Sequence, residues 1–385
     1  MQRKQHLFIP GPTPVPPEVA AAMTQPVIGH RSSEYASLQR YLVQQVKKVF
    51  QTENDLFILT SSGTGAMEAA ITNCVNPGDK VLALITGQFG KRFAEIAEHC
   101  GAKVERLEFP WGKPVDLGAV KATLDSGPLP QAVLVTHNET STGVVNNVQG
   151  LGALLKDTPA LLLVDAVSSM GAMDIRTDEW GVDFMVTGSQ KAFMMPPGLA
   201  FLSVSPKGWE AVANVTPRSF YFDLAAWRKN GVKGFAPWTP NVSLLFGLKK
   251  ALELMLGEGL DSVWSRHKRW AQGVRAGLRG MGLEPVAEDP WASHTVTAAF
   301  VPEGKADTLR ALVKQQFGLC LAGGKGKLDG KVLRFSHMGY VDELEILGAL
   351  AVLELGLRQL GQKVQLGRGV AQAQAVFAQG VRNHG

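Results

Sequence analysis

The sequence predicts an α/β protein: a large unit with a mainly parallel sheet covered by helices, then a smaller α+β unit at the C-terminal end. Two observations predict it. Continuous apolar runs alternate with helical stretches from about residue 56 to 204, as strands buried on both faces do. That rhythm breaks at 214–243, where Pro217, Pro237 and Pro240 mix with Phe220, Tyr221, Phe222, Trp227 and Trp238. The expected division is an extended arm at 1–17, a large unit at 18–258 and a small unit at 259–385.

The elements follow in order. Pro10, Pro12, Pro14, Pro16 and Pro17 favour an extended arm. From 33 to 51 the spacing becomes helical, with Leu38, Leu42, Val46 and Val49 on one face. Strands are predicted at 56–60, 81–85, 132–136, 161–166, 184–187 and 199–204, and helices near 64–75, 89–100, 117–125 and 148–156. The aromatic segment reads as a long functional or subunit-contact loop. Helices at 243–257 and 260–281 follow, then strands at 295–301, 317–322 and 332–336 and a helix at 341–360. The last twenty or so residues read as a frayed helix.

Composition narrows the function classes. Hydrophobic content of 45% and charged content of 19% suit a globular core. Lys+Arg exceed Asp+Glu by 39 − 34 = 5, with no dense basic run, so nucleic-acid binding is not favoured. Cys74, Cys100 and Cys320 lie far apart, without zinc spacing, and suit a reducing cytoplasm. The first ten residues lack an apolar core, so no secretory signal is expected. No apolar stretch reaches the roughly 18 residues of a membrane helix.

The chemistry sits at predicted strand ends, where ligands bind in parallel sheets. Lys191 follows the run at 182–187 and Asp165 ends the run at 161–164. Taken singly, each reads as an ordinary solvated residue. Together they match the needs of pyridoxal phosphate (PLP): a lysine to form a Schiff base with the aldehyde, and an acid to keep the pyridine nitrogen protonated. Ser61-Ser62-Gly63-Thr64-Gly65 opens a helix after a strand, so its free N–H groups can cradle a phosphate. Phe89, between Gly87 and Gly90, can lie against a cofactor ring or pack as core. In the polar loop 136–143, His137 and Glu139 read as structural or catalytic. Arg334, inside an apolar strand, reads as a fork for a substrate carboxylate or as half of an internal ion pair.

These motifs, in this order, resemble the class V aminotransferases of fold type I. The matches are Gly-Pro-Thr-Pro at 11–14, Gly-His-Arg at 29–31, Ser-Ser-Gly-Thr-Gly at 61–65, Gly-Gln-Phe-Gly at 87–90, Glu-Thr-Ser-Thr-Gly at 139–143, Asp-Ala-Val-Ser-Ser at 165–169, Gly-Ser-Gln-Lys at 188–191 and Val-Leu-Arg at 332–334. Among that family the chain is most similar to alanine–glyoxylate and serine–pyruvate or serine–glyoxylate aminotransferases.

The resemblance implies a PLP enzyme that moves the amino group of alanine or serine to glyoxylate or pyruvate. Lys191 would hold the cofactor and Asp165 would pair with its ring nitrogen. Val167 and Phe89 would pack on opposite ring faces. Ser62, Gly63, Thr64 and Gln190 would hold the phosphate, Ser141 the ring hydroxyl side, and Arg334 the substrate carboxylate. It also implies a homodimer in which the partner supplies Thr239 to the phosphate. The family's companion Tyr falls at Ala236 or a neighbour here. Other readings are an aminotransferase for a phosphorylated or phosphonate substrate and a non-catalytic accessory protein of the same fold. A cysteine desulfurase fits poorly, since Gln190 and not His precedes Lys191 and Cys320 lies in an apolar run.

Overall fold

The computed structural model describes residues 4–381. The large sheet has seven strands: β2 (Asp55–Ser61), β3 (Lys80–Ile85), β4 (Lys103–Glu108), β5 (Ala132–Thr136), β8 (Leu161–Asp165), β9 (Phe184–Gly188) and β10 (Gly198–Val204). A short hairpin, β6 (Asn138–Glu139) with β7 (Val144–Val145), interrupts the series. The spatial order is β2-β10-β9-β8-β5-β3-β4. Every residue of β5, β8 and β9 is buried, which is why these strands are apolar without alternation. Helices Ser33–Phe50, Gly63–Cys74, Gln88–His99 and Val148–Leu155 cover the faces, and two hydrophobic clusters fill the space on either side.

The sheet is parallel except at β10, which runs antiparallel to both β9 and β2. The carboxyl ends of β2, β3, β5, β8 and β9 therefore share one edge. Thr136 and Asp165 are register partners there, and Asp165 pairs in turn with Val186.

A second sheet has the order β1-β12-β13-β11, with β1 (His6–Phe8), β11 (Val296–Phe300), β12 (Leu319–Gly323) and β13 (Val332–Ser336). The N-terminal arm is thus not wholly irregular. Before its first proline it contributes a strand parallel to β12, and Phe8 joins the core of this second sheet.

Several elements differ from the sequence reading. The edge strand β4 is half exposed, so it carries no continuous apolar run. The segment 214–243 contains a helix, Leu224–Gly231, whose Asp223 cap accepts from Ala225 N–H at 2.9 Å. Helices Pro206–Ala213 and Ala306–Phe317 are also present. The described part of the C-terminal segment is a regular helix, Arg368–Val381, and residues 382–385 of the expected frayed end lie outside the described residues. This helix packs on helix Leu260–Gly280, burying Ala373 and Phe377.

Candidate active site

Asp165 closes β8 at the shared sheet edge. Its Oδ1 accepts from Val167 N–H at 2.9 Å, and Oδ2 lies 3.5 Å from the Thr136 hydroxyl. Burial pushes its carboxyl up to about 6, although the Val167 N–H favours the charged form. A protonated ring nitrogen facing it would draw that value back down.

Lys191 lies just past β9, and its amine donates to the Pro10 carbonyl. The arm is held there by Thr13, whose hydroxyl donates to Lys191 O at 2.9 Å and whose N–H donates to Gln190 O at 3.1 Å. Gly11 has φ of +125°, and a Cβ on it would fall 2.8 Å from Lys191 Cδ and Cε. Only glycine suits that backbone and that approach. Burial lowers the Lys191 pKa to about 8. The charge of Arg334 contributes to that lowering, while Asp165 acts the other way.

A cavity of about 290 Å³ brings together Ser62, Gly63, Thr64, Phe89, Asp165, Val167, Gln190 and Lys191. Ser62 caps helix Gly63–Cys74, accepting from Gly65 N–H at 3.4 Å. The remaining N–H groups of that first turn are unspent donors at the positive end of the helix dipole. A Cβ on Gly63 would lie 2.6 Å from Val167 Cγ2, so the helix start is pressed against the valine. Gln190 Oε1 is buried without a partner. Rotating that amide presents its NH₂ to an anion. The donor set fits PLP: an amine for the aldehyde, an acid for the ring nitrogen, apolar walls for the ring and an N–H cradle for the phosphate.

A second cavity, about 450 Å³, shares Gly11, Phe89, Thr140 and Lys191 with the first and adds Arg334. Side chains alternate along β13, so Leu333 and Phe335 enter the core and Arg334 faces the other way. Arg334 Nε donates to Gly323 O at 2.7 Å and one terminal nitrogen to Thr140 O at 3.2 Å. Among the described residues it has no carboxylate partner within ion-pair distance, so it is not half of an internal salt bridge. Burial lowers its pKa to about 10, still far above neutrality. Lys191 therefore stands between the cavity that holds Asp165 and one walled by a buried arginine that has no ion-pair partner among the described residues.

Other predicted residues fall elsewhere. Ser141 does not line either cavity: its hydroxyl accepts from Gln88 N–H at 2.9 Å and donates to Glu139 Oε1 at 2.6 Å. Its neighbour Thr140 lines both cavities instead. Glu139 caps helix Gln88–His99, with Oε2 accepting from Phe89 N–H at 2.9 Å and Gly90 N–H at 3.0 Å. It thereby fixes the Phe89 backbone. His137 is structural, hydrogen-bonded to Ser169 Oγ at 2.9 Å, and burial lowers its pKa to about 4. Thr239 is exposed and lines neither cavity of its own chain. The sequence reading missed Thr140, Gly11, Met67 and Arg92, all of which line the inner cavity. Gly11 and Thr140 lie inside motifs already noted, but only the folded chain gives them a role.

The family model of aminotransferase class V matches residues 6–346. The chain belongs to the class V aminotransferases. It is a PLP-dependent enzyme, with the fold of its family. It is 44% identical to a soluble hydrogenase small subunit of Synechococcus, covering 98% of this chain and 100% of that one. It is 41% identical to a serine–glyoxylate aminotransferase of Hyphomicrobium methylovorum, covering 97% and 94%. The crystal structure of pyridoxamine–pyruvate aminotransferase from Mesorhizobium loti superimposes with a TM-score of 0.93 at 31% identity, covering 99% of this chain and 98% of that one. In this aminotransferase Ala236 is buried and offers no hydroxyl. Its carbonyl accepts from Arg31 at 2.6 Å, so it cannot replace the family's Tyr. No described helix is long and apolar enough to cross a membrane.

Proposed function

We propose that this enzyme transfers the amino group of a small amino acid, serine or alanine, to glyoxylate or pyruvate. The observation that carries the reading is Arg334. It is buried, fixed by two carbonyls, without a carboxylate partner among the described residues and on the cavity that Lys191 faces. Such a fork suits an α-carboxylate, common to every 2-amino and 2-oxo acid. The bound cofactor supplies the electron sink for the Cα–H bond. Arg334 orients the substrate, Thr140 and Phe89 confine it, and Lys191 holds or returns the proton at Cα. Asp165 keeps the ring nitrogen charged. The name of the hydrogenase-subunit relative favours an accessory role as a second reading, but a scaffold has no use for Lys191, Asp165 and Arg334 in this arrangement. A phosphorylated donor is less well served, since Arg310 in the outer cavity is already bonded to Asp307 at 2.6 Å.

The working unit on this reading is a cytoplasmic homodimer, with Thr239 reaching the partner's phosphate cradle. The supporting feature is the aromatic surface of Phe220, Tyr221 and Trp238, where Phe220 is 80% exposed. A panel of amino donors against glyoxylate and pyruvate tests the function. Serine or alanine should give the highest kcat/KM, and no turnover with any donor would overturn the reading. Light scattering at assay concentration tests the dimer.

A further inference from the structure

We propose that Arg92 is a cofactor-binding residue whose guanidinium neutralises the phosphate of PLP. The inner cavity is lined by three charged side chains: Arg92, Asp165 and Lys191. With bound PLP, Asp165 is committed to the ring nitrogen and Lys191 to the aldehyde carbon. That leaves Arg92 as the remaining cation lining this cavity for a phosphate carrying between one and two negative charges. The cradle itself supplies neutral donors: the Ser62 and Thr64 hydroxyls, backbone N–H groups and the Gln190 amide.

Its position supports the role. Arg92 lies in the first turns of helix Gln88–His99, and its guanidinium carbon stands 5.0 Å from the centre of the Phe89 ring. Phe93 on the same helix packs in one cluster with Met67 of helix Gly63–Cys74, whose N-terminus forms the cradle. Among the described residues Arg92 makes no ion pair and donates no side-chain hydrogen bond, so its donors remain free. It is half-buried and lines the inner cavity together with Asp165 and Lys191. The guanidinium lies within cation–π distance of the Phe89 ring with its donors unspent, and an arginine of that kind can bind a phosphate through two hydrogen bonds.

The proposal rests on PLP being the cofactor, and the test separates the two. Apo wild type, Arg92→Met and Arg92→Lys would be titrated with PLP and with pyridoxal, which lacks the phosphate, and followed by visible absorbance. Each apo protein would also be melted. The expected result is a PLP dissociation constant raised at least tenfold in Arg92→Met and less in Arg92→Lys. Pyridoxal affinity and apo melting temperature should stay at wild-type values. Inorganic phosphate should also inhibit PLP binding with a higher inhibition constant in Arg92→Met than in wild type. Equal weakening of PLP and pyridoxal would show that Arg92 only backs the Phe89 ring, and unchanged PLP affinity would show that it does nothing for the cofactor. Either overturns the proposal. Failure of wild type itself to bind PLP would strike the cofactor assignment instead.

Discussion

Arg334 and Lys191 face one cavity from two different sheets, and after burial the positive charge of Arg334 is the largest influence holding the Lys191 amine down to about 8. The two residues are therefore coupled before any substrate arrives. PLP attachment needs the neutral amine, so its rate should rise with pH through a midpoint at about 8 and level off at higher pH. Arg334→Gln removes a positive neighbour and favours the ammonium, so the midpoint should move to higher pH. Stopped-flow absorbance of apo protein mixed with PLP across pH 6–10 reads this directly. A midpoint that stays put or falls would show that the two sites are uncoupled.

Arg334→Lys should raise KM for every amino acid and oxo acid tested. Lysine keeps the charge but loses the planar fork, at a cost of about 1.5–3 kcal/mol, or about 10- to 150-fold in KM. The visible absorbance of lysine-linked PLP should not change. A variant with a lower melting temperature and unaltered KM would mean the arginine serves the fold.

Asp165→Asn should lower kcat far more than stability. On the proposed reading the carboxylate keeps the ring nitrogen protonated and an amide cannot, so the loss should be on the order of 10²-fold or more. Denaturation midpoints should move little, since the amide can still accept from Val167 N–H. Wild-type kcat in the Asn variant would show that another group, or none, serves the ring nitrogen.

Glu139→Gln tests the support of Phe89. Glu139 Oε1 accepts from Ser141 N–H at 3.0 Å and from its hydroxyl at 2.6 Å, while Oε2 serves the helix N-terminus. An amide has one acceptor oxygen, so one pair of donors would be left facing an NH₂ group. The expected cost is about 1–3 kcal/mol in chemical denaturation. No loss would mean that the network rearranges freely.

Much of this site was legible because its residues stand at strand ends. Lys191, Asp165 and the loop at 61–65 each follow a buried apolar run, and parallel topology brings such ends together. Arg334 was legible as an anomaly, a charge among apolar neighbours. Its lack of an ion-pair partner was not, since that depends on residues distant in sequence. Ser141 and Thr140 are adjacent, and only the turn after Glu139 decides which faces the cavity. The pairing of β1 with β12 joins residues more than 300 apart, and no local pattern marks it. The helix within 214–243 was hidden by its prolines and aromatics, although Asp223 carries an N-cap signal.

The most direct measurement is the absorbance of PLP-loaded wild type and Lys191→Ala during a half-reaction. Serine or alanine should abolish the visible band of the wild type, and glyoxylate or pyruvate should restore it. Lys191→Ala should remain folded, lack the lysine-linked band and show no comparable cycle. An alanine variant that cycles at the wild-type rate, or a wild type blind to every amino donor, would contradict the account.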